Sequence, residues 1–342
     1  MKLMTPIRLF NLTGAAAFAT VLLWAATATS QAQTPNIYIV NDGAGMVEEY
    51  DSTTGANILS LQVLPAPSSG LSFASGIALS GANMYIANVA GGFVYECNAT
   101  TGAIISSFGT SGSIGGFNNP EALALSGNHL YVADSGNNAV QEYDATTGAL
   151  ISAFVSPTNL TTPVGLAISG NNLYIGNLGS VPPGDPVIGE YDATTGAQIA
   201  AFNVPIGGPD GPNFPTGLAI AGNDLYVADG GGDNTIREFD ATTGAAIAGW
   251  TPIASDAPHG IAVEDNLLYV VNDNNGGAPM ATEYDATTGA VVAGFSAPTD
   301  LNSPAFIEFV PSATPEPGSA TLLVLGAGAL LGWRPRRKIA MV

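Results

Sequence analysis

The chain has 342 residues, 46% of them hydrophobic and only 10% charged, with 43 Gly and 23 Pro; this balance excludes a disordered polymer and favours short strands joined by turns over helices. The formal net charge is −20, yet six of the seven Lys and Arg residues (Lys2, Arg8, Arg334, Arg336, Arg337 and Lys338) sit at the two ends. Between them 26 of the 27 acidic residues face a single Arg237, a net charge near −25 that excludes nucleic acid and anionic membrane surfaces as partners and leaves divalent cations as attractive ligands.

In chain order, Lys2 and Arg8 precede an apolar run over 15–26, which ends in the small-x-small sequence Ser30-Gln31-Ala32. The pattern predicts a signal peptide over 1–32 with cleavage after Ala32; a retained N-terminal anchor is the alternative, although the run is short for a span. Cys97 is the only cysteine, so no intramolecular disulfide is available and stability comes from packing.

From residue 33 onward the chain repeats. Tyr50-Asp51-Ser52-Thr53-Thr54-Gly55 is echoed by Cys97 to Gly102, Tyr143 to Gly148, Tyr191 to Gly196, Phe239 to Gly244 and Tyr284 to Gly289, with the closing glycines 47, 46, 48, 48 and 45 residues apart. That period is the length of a propeller blade. The third repeat shows the four strands expected of each blade, at 122–125, 130–133, 140–143 and 150–154, separated by turns rich in Gly, Asn and Asp.

The first repeat lacks its first strand and begins at Ile37-Tyr38-Ile39-Val40, while a lone first strand, Pro304 to Phe309, follows the last repeat. Joining the two halves predicts an all-β, six-bladed propeller over 33–310, its ring closed by the C-terminal strand and its edges thereby hidden. Pro163-Val164-Gly165-Leu166-Ala167 and Tyr131-Val132-Ala133-Asp134-Ser135-Gly136-Asn137-Asn138 resemble NHL-type propeller repeats over roughly 36–310. The resemblance implies the fold, and function only weakly. The basic residue that NHL repeats often carry after Asn-Asn is absent apart from Arg237, so the RNA binding of some NHL propellers does not carry over.

Loops before the first strand and between the second and third strands share one face of a propeller, around the channel mouth. The residues after the Pro position there are Ser75, Glu121, Val164, Thr216, His259 and Ala305. Pro258-His259-Gly260 resembles a strand start in streptogramin lyases, which implies a metal-assisted site with His259 and Glu121 as its candidate catalytic residues. Two protein ligands alone leave such a site incomplete. The alternative is a polar mouth residue bonded to backbone. His129, at an Asn-rich turn, falls on the opposite face.

The mouth loops offer oxygen ligands for Ca²⁺ from Asp134, Asp229, Asp233 and Asp273, residue types that also make ordinary turns. A Glu precedes the aromatic in every repeat (Glu49, Glu96, Glu142, Glu190, Glu238 and Glu283), readable as a carboxylate ring or as a duplicated cap for a hydroxyl or amide near the strand end.

After the last strand, Pro315-Glu316-Pro317 leads into an apolar run over 319–333 and the basic cluster Arg334, Arg336, Arg337 and Lys338. Segment 311–342 resembles a PEP-CTERM sorting signal, with a short transmembrane helix and a basic tail. The resemblance implies processing by an exosortase in a Gram-negative bacterium that makes extracellular polysaccharide, and a transient stay in the inner membrane; a plain C-terminal anchor is the alternative. The sequence thus points to an exported, surface or extracellular, noncatalytic interaction module whose partners are extracellular polysaccharide, with Ca²⁺ bridging it to the carboxylates of the body, or another surface protein; the alternative is a metal-dependent hydrolase or lyase of the gluconolactonase or streptogramin lyase kind at the channel mouth.

Overall fold

The computed structural model describes residues 36–309 apart from 64–70, 72, 156–159, 179–186, 203, 205–210, 232–233, 249, 273–279, 296–297 and 299–300. The expected signal peptide and sorting segment, with Pro315, Glu316, Pro317, Arg334, Arg336, Arg337 and Lys338, lie outside the described residues. No helix among the described residues is long and apolar enough to cross a membrane.

Six antiparallel sheets form the six blades. In the third blade the strands Pro120–Ser126, His129–Asp134, Ala139–Asp144 and Leu150–Val155 pair in sequence order from the axis outward. In the fourth and sixth blades the outermost strand narrows to isolated bridges, Tyr191 to Gln198 and Tyr284 to Val291. The first blade closes the ring as its sequence predicts. Strand Pro304–Phe309 pairs with Asn36–Asn41, placing Ile307 opposite Ile39 and Glu308 opposite Tyr38.

The repeated hairpin is held from within. Asp144 Oδ1 accepts hydrogen bonds from the amides of Thr146 and Thr147 at 3.1 and 2.7 Å and from the Thr147 hydroxyl at 2.8 Å. These donors, the Thr147 hydroxyl first, hold the Asp144 carboxyl below its usual pKa. Gly148 ends the turn at φ 69°, a conformation that a Cβ opposes.

Blades are joined by a second repeated device. A tyrosine on the second strand donates its hydroxyl to a backbone carbonyl in the turn of the next blade, as Tyr85 does to Ala145, Tyr131 to Ala193 and Tyr174 to Ala241, each at 2.8 Å. Tyr269 makes the equivalent bond to Ser52 at 3.0 Å, linking the sixth blade to the first across 217 residues of sequence. Burial, reinforced by the neighbouring Glu, pushes the Tyr131 and Tyr174 hydroxyls up to about 12, so they remain protonated donors.

The six glutamates belong to this device. Each lies opposite its tyrosine in register, Tyr85 facing Glu96 and Tyr174 facing Glu190, with hydroxyl-to-carboxylate distances of 3.1 Å in both. Glu142 instead meets His129 Nδ1 at 2.6 Å and accepts from the Ser152 hydroxyl at 3.0 Å. The glutamates therefore cap hydroxyls, amides and one imidazole inside the blades. Phe108, Phe154, Phe202, Trp250 and Phe295 pack edge-on against the same tyrosines, at centroid distances of 5.2 to 5.8 Å.

Near the axis the inner strands approach closely because their third residue is mostly Gly. A Cβ on Gly260 would meet the Phe306 Cα at 2.6 Å, and one on Gly76 would meet the Glu121 carbonyl oxygen at 2.5 Å. These contacts bring the residues just before those glycines, Ser75 and His259, to the rim of the channel.

Candidate recognition site at the channel mouth

Each inner strand starts at the mouth, and the residue before it takes a left-handed conformation in five blades: Phe73, Asn119, Thr162, Ala257 and Ser303, with φ between 51° and 66°. For a non-glycine residue this costs roughly 1–2 kcal/mol. Phe73 is the bulkiest of the five and is 65% exposed. Its backbone carbonyl accepts from the Val89 amide at 3.0 Å, which ties it to the neighbouring loop.

Beside Phe73 a cavity of about 190 Å³ is lined by Ser75, Glu121 and His259, with Asp42 on its wall. Glu121 and His259, from the third and sixth blades, thus share one cavity. Ser75 donates its hydroxyl to Glu121 Oε2 at 3.0 Å. Burial raises the Glu121 carboxyl above its ordinary pKa, opposed by the Ser75 hydrogen bond and by the His259 charge. His259 Nδ1 lies 2.9 Å from the Ala305 carbonyl oxygen, which only accepts, so Nδ1–H is the donor of this bond. The ring stands edge-on to Phe306 at 5.9 Å. Thr216 turns its hydroxyl onto the Pro258 carbonyl at 2.9 Å, and Val164 and Ala305 add no side-chain polar group.

The acids expected to bind Ca²⁺ have protein partners where they are described. Asp134 is fully buried: Oδ1 accepts from the Asn118 amide at 2.8 Å and Oδ2 from the Asn137 side chain at 2.7 Å. Asp229, also fully buried, accepts from the amides of Asn213 and Phe214 at 3.0 and 2.8 Å. Asn41 and Asn177 fill the same position in other blades and accept from the Asn302 and Thr161 amides at 2.8 and 3.3 Å. This Asp or Asn fastens the loop that leads into the inner strand. Asp134 and Asp229 lie in different blades and are not brought together; Asp233 and Asp273 lie outside the described residues. No three His, Cys, Asp or Glu side chains among the described residues are grouped as a metal site requires.

Phe73 and Asp42 are the mouth residues that sequence reasoning missed. Asp42 sits in the loop between the second and third strands of its repeat, a position already assigned to this face. Phe73 is visible only by aligning the residue before each inner strand.

Fold and site together define a repeat-built β-propeller with one polar, aromatic-flanked mouth. A family model described as outer membrane protein assembly factor BamB matches residues 43–294, and the chain belongs to that family. No curated protein matches. Among solved structures, a chain of one titled crystal structure of nidogen/laminin complex is similar, with a TM-score of 0.59 at 13% identity, covering 81% of this chain and 99% of that one. At that identity the likeness shows the fold.

Proposed function

We propose that this protein is an exported, noncatalytic interaction module that uses its channel mouth to hold an extracellular acidic polysaccharide, with Ca²⁺ bridging the two anionic surfaces. The observation that carries the reading is the mouth cavity itself, where an exposed aromatic, Phe73, stands beside the hydroxyl and carboxylate of Ser75 and Glu121 and the imidazole of His259. Such a mixture of one flat apolar face and a few polar groups suits a hydroxyl-rich ring. The acidic body supplies the need for a divalent bridge, because two polyanions repel without one. The tail motif Pro315-Glu316-Pro317 and its basic cluster support export to the surface through an exosortase-type enzyme.

Calorimetric titration of the purified protein with polygalacturonate tests the reading. Binding is expected with Ca²⁺ and not without it, and Phe73→Ala is expected to weaken it at least tenfold, about 1.4 kcal/mol, while leaving the circular dichroism spectrum unchanged. Absence of heat under both conditions sinks the reading.

A second reading, metal-assisted hydrolysis or lysis, is favoured by the shared cavity of Glu121 and His259. Its donor set is the weakness, since a catalytic zinc site ordinarily uses three protein ligands. Turnover of a lactone that is lost in Glu121→Gln would establish this reading in place of the first.

A further inference from the structure

At the end of the channel opposite the mouth, the inner strands of all six blades surround a second cavity of about 300 Å³. Its wall is aliphatic and aromatic, built from residues such as Leu79, Leu125, Ile168, Ile220, Val263 and Phe309. Two charged residues line it, Glu264 and Glu308, from adjacent inner strands.

Alignment of the inner strands makes Glu308 the odd member. Where it stands, the other five blades carry Ala78, Ala124, Ala167, Ala219 and Ala262. Among the described residues its carboxyl accepts one hydrogen bond, from the adjacent Phe309 amide at 3.2 Å. Arg237, the one basic residue of the body, does not line the cavity. Glu308 is only partly exposed, toward the channel, and protein surrounds the group on every side. Burial, with a smaller contribution from the Glu264 charge, pushes its carboxyl up to about 7. A carboxylate in an apolar wall is costly unless a cation faces it, and the described part of the chain places none in this cavity.

We propose that this axial well binds an organic cation with an apolar body, an alkylammonium in its simplest form, its head group between Glu264 and Glu308 and its chain along the aliphatic wall. The volume lies at the small end of ligand pockets, about 300–1,000 Å³, which suits a chain of a few carbons. Ca²⁺ is the poorer occupant, because it takes six to eight oxygens and the lining side chains that bear oxygen belong to two residues.

Calorimetry on the full chain with hexylammonium, hexanol, hexanoate and Ca²⁺ tests the proposal. Hexylammonium is expected to bind at least tenfold more tightly than hexanol, with no binding of hexanoate and no displacement by Ca²⁺. Glu308→Ala restores the residue of the other blades, and Glu308→Gln keeps the volume; both are expected to lose at least tenfold in affinity for hexylammonium and none for hexanol. General attraction to the acidic surface is thereby separated from the well, since each variant removes one charge from a body with a net charge near −25. Equal affinity for hexylammonium and hexanol, displacement by Ca²⁺, or unchanged hexylammonium binding in both variants overturns the proposal.

Discussion

Ile307→Asp is expected to unfold the whole propeller, although it touches only the last described strand. Ile307 is 3% exposed and packs in one cluster with Ile37, Ile39, Tyr50 and Tyr269, which come from both ends of the chain. A carboxylate there has no cation to meet, and a buried unpaired charge belongs to the small class of substitutions that cost more than about 4 kcal/mol. Native domains have about 5–15 kcal/mol in total. In an open repeat array such damage would stay near one end, because each repeat contacts only its neighbours. In a closed ring, loss of this strand uncovers the edge of the first blade and weakens its junction with the sixth at once. Urea unfolding followed by circular dichroism checks this, with Ile307→Val as the control at about 0.5–1.5 kcal/mol. Loss of only the first-blade signal, with the remaining blades unfolding at the wild-type midpoint, would show that closure contributes little.

The second large effect is a gain. Glu308→Ala is expected to stabilise the fold at pH 8 by on the order of 2–3 kcal/mol, and by little near pH 4. The carboxyl has an ordinary value of 4.5 and stands at about 7 in the folded chain, raised chiefly by burial. An acid whose pKa is raised on folding binds its proton more tightly in the native state, so its contribution is fully present below the unfolded value and is lost as pH rises through the folded one. Each pKa unit is about 1.4 kcal/mol, and the partial exposure of Glu308 keeps the effect below the full product. Urea midpoints of both proteins at the two pH values isolate this group from other buried acids such as Glu96 and Glu283, which are raised in the same direction. A constant difference across pH would mean that the Glu308 carboxyl has the same pKa in the folded and the unfolded chain.

The architecture was readable because six copies of one turn impose both a period and a register, and because the missing first strand of the first repeat has its counterpart in Pro304–Phe309. The repeated glutamates were equally visible, but their partners were not. Tyr85 and Glu96 lie 11 residues apart on different strands and meet only through cross-strand register. The same blindness made Asp134 and Asp229 resemble calcium ligands, since the amides that occupy them lie 15 and 16 residues upstream, in loops whose path no local pattern dictates. Glu121 and His259 were singled out by position, and the cavity they share depends on the close approach of inner strands at Gly76 and Gly260. Glu308 stands out only when the lone strand is compared residue by residue with the other inner strands, which carry Ala78, Ala124, Ala167, Ala219 and Ala262 at its position.

Amide hydrogen exchange on the full chain tests most directly whether the ring is closed. Closure predicts that the paired amides of 304–309 and 36–41 exchange as slowly as those of 120–126 in the third blade, through global unfolding alone. Rapid exchange of 304–309 while the third blade stays protected would contradict it.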